Sequence, residues 1–423
     1  MELNKIDLGL FSLFHHDAKK HLNEILNTPK LFELTKKDPS NDQKDLIICL
    51  EELIRNKTID LKDDEIGLTL TGGFDSRLIL SVLLYLKKKP ICFTYGDPRN
   101  RDIVIAKQIC EFFNLKFVHV VNENIDADWY ERWVKETISR GKGEAHLHRA
   151  HRTAAISEFT SKNPIKILFT GHFGGESIRG LSLNNYFTSN YFNQFHSGSI
   201  ETSFKKTLSD YFIKTPNESE LKTIQEEISK LPWMTGSRDD RTFYFLYDLV
   251  ANIHHRQDIE IFKTFVPEVV PVFMTNEFQE LLIKTPFHFT RRSRSRISKL
   301  KHPELYCLLL NHFEPRLMET PLSNGFKPSV YQKGAIFYAL IRLYNKTFNK
   351  IKNYPSFKYD DWYFQFVKRK ANEISDEVWE NFDKENYFKS LEEGNHETNE
   401  GYWHKFSNPI FFDLLLKSNF ISK

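Results

Sequence analysis

Between Glu65 and Lys89 the chain reads EIGLTLTGGFDSRLILSVLLYLKKK, and no other stretch constrains the fold so tightly. Ile66 to Leu70 is a largely apolar run of strand length. Leu78, Ile79, Val82, Leu83 and Leu86 then recur at helical spacing. Thr71-Gly72-Gly73-Phe74-Asp75-Ser76 separates the two, so the stretch predicts a strand, a tight glycine turn and a helix start. Adjacent glycines let the backbone pass close to a ligand, because neither carries a Cβ. Such a turn aims N–H groups, and the positive end of the helix dipole, at an anion. Ser76 adds a hydroxyl donor. Asp75 sets a carboxylate against that anion, which makes sense with a divalent cation between them. The plainer alternative is a strand-to-helix turn capped by Asp75 and Ser76.

The pattern then repeats. Pro90 to Pro98 is a second apolar strand ending in a turn, followed by Asn100-Arg101-Asp102 and a helix from Ile103 to Phe113. Ile105, Ala106, Ile109, Cys110 and Phe113 form its inner side. Lys116 to Val121 reads as a third strand and Pro164 to Thr170 as a fourth. Successive βα units predict an α/β fold with a parallel twisted sheet flanked by helices and ligands at the carboxyl ends of the strands. The fourth strand runs into Gly171-His172-Phe173-Gly174-Gly175-Glu176, a second glycine-rich loop. Its Glu176 supplies a second carboxylate on the same sheet edge, as Mg²⁺ beside a phosphate would require.

The first loop is not a Walker A loop, since its spacing differs and no Lys-Ser or Lys-Thr follows. It resembles the Ser-Gly-Gly-x-Asp-Ser pyrophosphate loop of the N-type ATP pyrophosphatases, with Thr71 for the first Ser. From about Ile66 to about Pro328 the chain resembles the synthetase domain of the asparagine synthetase family. That resemblance implies ATP cleaved between its α- and β-phosphates, a carboxylate activated as an acyl-adenylate, and an amine or ammonia that displaces AMP. It implies that Thr71, Gly72, Gly73, Phe74, Asp75 and Ser76 hold the pyrophosphate. Thr94, Tyr95, Gly96 and Asp102 then lie on the nucleotide side, and Gly171, Gly174 and Gly175 belong to the second loop. Asp75 and Glu176 become the Mg²⁺ ligands, although Gly175 replaces the first acid of the family's Gly-x-Gly-x-Asp-Glu. Glu268 falls on a family glutamate that relays protons around the adenylated substrate. Val270 stands for the family's Arg and Thr275 for its Asp, which points to a substrate other than aspartate. Ser323 takes the place of a lysine found in some members, and Lys327 is the candidate to substitute for it.

The resemblance divides the chain into an N-terminal helical segment (1–60), an ATP pyrophosphatase domain (61–330) and a helical C-terminal extension (331–423). The family's glutaminase domain is not expected, because position 2 is Glu2 and the first cysteine is Cys49. Nitrogen would then come from free ammonia, an amine in the substrate or a partner. A net charge of +3 and one short basic run, Arg291 to Lys301, do not point to nucleic acid. No apolar stretch reaches about 18 residues, so no membrane span is expected. Scattered cysteines and the absence of a signal-peptide pattern suggest a reducing, cytoplasmic setting. His146, His148, Arg149, His151 and Arg152 lack zinc-helix spacing and suit a phosphate or carboxylate neighbour better than zinc, with a solvated helix face as the default reading. Residues 181–232 read as a polar, aromatic loop or lid. A second copy or a pathway partner stays open. So do two alternatives, a nucleobase-modifying enzyme of the same superfamily and a degenerate nucleotide-binding scaffold.

Overall fold

Five strands form a single all-parallel sheet: β1 Ile66–Thr69, β2 Ile91–Tyr95, β3 Phe117–Val120, β4 Ile167–Thr170 and β5 Glu268–Pro271. The computed structural model describes residues 25–39, 43–121, 125–179, 208–232, 236–291, 303–333, 359–393 and 400–420, with single positions at 8, 205, 337, 340 and 343. The apolar runs of β1 and β4 are buried throughout except at Thr69. Continuous rather than alternating hydrophobicity is what a parallel strand covered on both faces needs.

The strand order is β3-β2-β1-β4-β5, with Gly67 opposite Ile91 on one side of β1 and Ile66 opposite Ile167 on the other. The chain thus winds outward from β1 in one direction, returns, and winds outward in the other. The two directions part between β1 and β4, the position where open α/β sheets leave a crevice at their carboxyl edge. Helices Asp75–Tyr85 and Arg101–Phe113 make the first two crossovers. Ala127–Arg140 and Ala150–Lys162 lie between β3 and β4.

Alternate strand residues feed two cores, as the two-residue strand period dictates. Cys92, Ile167, Phe169 and Val270 join the helices Lys44–Thr58, Asp75–Tyr85, Arg101–Phe113 and Glu304–Phe313. Ile91, Phe93, Leu168 and Val269 face the other layer, where Tyr130 meets Tyr363 and Phe366 edge-on at 5.2 and 5.0 Å. There the helix Tyr359–Ala371 is also tied by Arg369 to Asp128 and Glu131 of Ala127–Arg140.

Part of the expected loop or lid is helical instead. Glu218–Ser229 opens with a capping box between Asn217 and Glu220 and buries Leu221, Ile224 and Ile228, spaced for one helix face. Residues 180–204 and the basic positions 292–301 lie outside the described residues. Among the described residues, no helix is long and apolar enough to cross a membrane.

Candidate functional site

A cleft of about 420 Å³ opens where β1, β2 and β4 end. Thr71, Asp75 and Ser76 from the loop after β1 line it, together with Thr94, Tyr95 and Asp102 after β2 and Gly171 and Glu176 after β4. Loops about a hundred residues apart thus meet at one edge, because β1 and β4 are neighbours.

The first loop is held by its own hydroxyls. The Thr71 N–H donates to Ser76 Oγ at 3.0 Å, and the two hydroxyls lie 3.3 Å apart. Gly73 N–H donates to Thr71 Oγ1 at 3.3 Å. Ser76 therefore serves first as an acceptor that closes the turn. Phe74 is buried, stacked on Tyr306 at 5.0 Å, and faces away from the cleft.

The glycines differ in purpose. A Cβ at Gly174 would stand 2.7 Å from both Asp75 Oδ1 and Phe273 Cδ2, and one at Gly171 would stand 3.0 Å from Asp75 Cβ. These two let the second loop close onto Asp75. Gly175 is buried in the short helix Gly174–Arg179, and Gly96 takes φ +116° beside the end of β2. Gly72 is filled on one side by Asp102 and Ser323, whereas Gly73 has only Thr71 Oγ1 within reach. Phe173 adopts φ +69°, a conformation costly for a bulky side chain, with its ring edge-on to Tyr247 at 5.1 Å.

Asp75 is the cleft acid whose carboxyl is raised. Burial pushes its carboxyl up to about 6, against the opposing hydrogen bond from the Tyr306 hydroxyl and the charge of Arg179. The nearby Glu176 carboxylate adds to the upward push. Glu176 Oε1 in turn lies 3.7 Å from His255 Nε2. Two repelling carboxylates in a deep cleft suit a shared cation. Among the described residues, no group of three or more His, Cys, Asp or Glu could hold a metal alone. Mg²⁺ needs no such cage when phosphate oxygens complete its shell. Asp75 and Glu176 therefore fit a cation that arrives with a phosphate ligand.

Sequence reasoning overlooked the opposite wall. Helical residues Arg238–Tyr244 continue into an eleven-residue π-helix, Phe245–His255, and then into Arg256–Lys263. His255 at the end of this wide-turn stretch, and Asp258 and Phe262 in the helix it leads into, line the cleft. Asp258 binds both Arg149 and Arg152 and lies 3.6 Å from His172 Nε2. Burial alone would raise its carboxyl, but the two guanidinium groups outweigh burial and hold it well below the usual range. Burial lowers His172, whose Nδ1 lies 2.9 Å from Thr170 Oγ1. Of the His/Arg cluster noted in sequence, only Arg152 reaches the cleft. Arg149 lies behind it, His151 is buried, and His146 and His148 pair at 2.8 Å elsewhere.

Two expected catalytic residues are absent from the cleft. Glu268 opens β5 opposite Ile167, the first residue of β4, and so sits at the amino edge of the sheet. There it pairs with Lys57 at 2.6 Å in a separate groove. A strand holds its first and last residues at opposite edges, so the family register led to the wrong end. Lys327 is half-exposed and pairs with Glu319 at 3.1 Å. Ser323, by contrast, docks its N–H on the Gly72 carbonyl at 3.1 Å.

No protein-family model matches the chain. It is 26% identical over 126 residues to a probable glutamine-hydrolysing asparagine synthetase of Acanthamoeba polyphaga mimivirus. The match covers 29% of this chain and about a fifth (21%) of that relative. This supports a distant asparagine synthetase-like relationship.

Proposed function

We propose that the chain is an ATP-dependent carbon–nitrogen ligase that adenylates a carboxylate, releases pyrophosphate, and passes the acyl group to ammonia or an amine. One observation carries this above the others: the two glycine loops, after β1 and β4, put Asp75 and Glu176 on one cleft at the switch point of the sheet. The loop N–H groups and the Thr71 hydroxyl would bind the pyrophosphate moiety. Asp75 and Glu176 would hold Mg²⁺, which when bound offsets the negative charge of the departing pyrophosphate. Thr94, Tyr95 and Asp102 face the nucleoside end. Arg152, fixed by Asp258, presents positive charge to an incoming carboxylate. The acyl donor is a small molecule or a peptide, and the amide can form between molecules or within one.

The test is nucleotide product analysis with Mg²⁺-ATP and pools of carboxylates and amines. AMP with pyrophosphate, lost in Asp75→Asn, is the expected result; ADP with phosphate would refute the proposal. A second reading, a nucleotide-binding protein without ligase turnover, is favoured by the distance of Glu268 and Lys327 from the cleft. It predicts ATP binding with no AMP in every substrate pool.

A further inference from the structure

Arg77 is fully buried at 0% exposure, one residue beyond the loop. Its hydrogen bonds among the described residues all go to main-chain carbonyls. Nη1 donates to Leu317 O at 3.1 Å and Thr320 O at 2.6 Å, and Nη2 to Pro321 O at 2.6 Å and Gly72 O at 3.5 Å. A packing role alone could be filled by an apolar side chain, without taking a charge out of water. What the guanidinium does is bind the Leu317–Pro321 segment and the glycine loop to one another.

The same segment reaches the loop a second time. Ser323 N–H donates to the Gly72 carbonyl at 3.1 Å, and a Cβ on Gly72 would already lie 3.2 Å from Ser323 Cβ. Arg101 Nε donates to the Ser323 carbonyl and holds that residue in place. In a trans peptide the C=O of one residue and the N–H of the next point in opposite directions. Tying the Gly72 carbonyl to Ser323 therefore turns Gly73 N–H to the other side, where it meets Thr71 Oγ1, a cleft-lining group.

We propose that Arg77 and the Leu317–Ser323 segment are positioning elements of an anion cradle, holding the Gly72 carbonyl outward so that Gly73 N–H points to the side of the cleft-lining Thr71 hydroxyl, which it holds in this structure, and the two together meet a bound pyrophosphate group. This rests on the first loop being a pyrophosphate site. Neither Arg77 nor Ser323 touches the ligand; both act through the peptide between Gly72 and Gly73.

Ser323→Pro gives a selective test. Gly325 N–H donates to Leu322 O, so Ser323 is the second residue of a four-residue turn, and neither Ser323 nor Asn324 has positive φ. Proline is favoured at that position of such a turn. The substitution removes the N–H that holds Gly72 and sets the ring Cδ against that carbonyl, so the Gly72–Gly73 peptide must shift while the turn itself accepts the residue. Binding of inorganic pyrophosphate with Mg²⁺ would be measured by calorimetry, alongside the ligand-free melting temperature. Ser323→Pro should weaken binding about tenfold or more, at least the loss of one well-placed donor, with a fall in melting temperature no larger than that of Arg77→Lys. Ser323→Ala, which keeps the N–H, should bind as the unaltered protein does. Arg77→Lys should weaken binding too, while also lowering the melting temperature. Unchanged affinity in Ser323→Pro, or equal losses in the Ala and Pro variants, would overturn the positioning role while leaving the pyrophosphate site standing. If the unaltered protein binds neither pyrophosphate nor ATP, the site itself is refuted, and the positioning role with it.

Discussion

Replacing Asp75 by Asn should make the ligand-free protein more stable at alkaline pH while abolishing its turnover. Burial holds the Asp75 carboxyl at about 6 in place of 3.8. The folded state therefore binds this proton more tightly than the unfolded chain. The penalty for ionising it is absent below about pH 4, grows between about pH 4 and 6, and is complete above that range. A shift of about two units corresponds to about 3 kcal/mol. An amide fills the same volume without charge, its Oδ1 can still accept from the Tyr306 hydroxyl, and its NH₂ can face Glu176. Denaturant unfolding in a chelating buffer at pH 4 and pH 8 measures the difference. Asp75→Asn should gain up to about 3 kcal/mol at pH 8 and close to nothing at pH 4. A variant less stable than the parent at pH 8, or a difference independent of pH, would refute the buried-carboxylate account. Loss of activity alongside a gain in stability marks a group retained for function rather than for the fold.

Glu176→Gln should raise the Mg²⁺ concentration needed for half-maximal AMP formation; an unchanged Mg²⁺ dependence would make the second loop structural. Asp258→Asn leaves Arg149 and Arg152 without their shared carboxylate and should cost about 3–5 kcal/mol at pH 7. Because this carboxyl is held low, its contribution is present above the usual carboxylate range and is lost as pH falls through its folded value, so the parent and variant unfolding curves should converge in strong acid. Glu268→Gln breaks only an exposed pair with Lys57 and should change stability by less than about 1 kcal/mol, with AMP formed at the parent rate; a large rate loss would return Glu268 to the site. Gly174→Ala should destabilise by about 1–3 kcal/mol by crowding Asp75 and Phe273, whereas Gly73→Ala, whose Cβ meets only the Thr71 hydroxyl at 3.3 Å, should cost less.

Much of the architecture was legible locally. The strands at Ile66, Ile91, Phe117 and Ile167, the glycine turns after the first and fourth, and the helix from Asp75 all follow from short-range patterning. Apolar runs of strand length and helical spacing are set by burial period, and adjacent glycines by the sterics of the turn itself. The parallel sheet followed because the βα units alternate, and a parallel sheet exposes one carboxyl edge.

Which residues on that edge become neighbours was a tertiary decision. Asp75 and Glu176 meet because β4 pairs with β1 rather than adding beyond β3, and strand order leaves no mark on local composition. Glu268 matched a pattern in one dimension, but as the first residue of its strand it is placed at the far edge. Tyr306, His255 and Asp258 come from helices whose docking and register bring them to Asp75, Glu176 and Arg152. The eleven-residue π-helix shows why such neighbours escape a reading at ordinary helical spacing, since a wider turn changes which side chains share a face. The sequence by itself determined the elements and their turns, because these depend on residues a few positions apart. Only the packed structure decided the site, because its carboxylates, guanidinium groups and carbonyls meet across one to two hundred and more residues of chain.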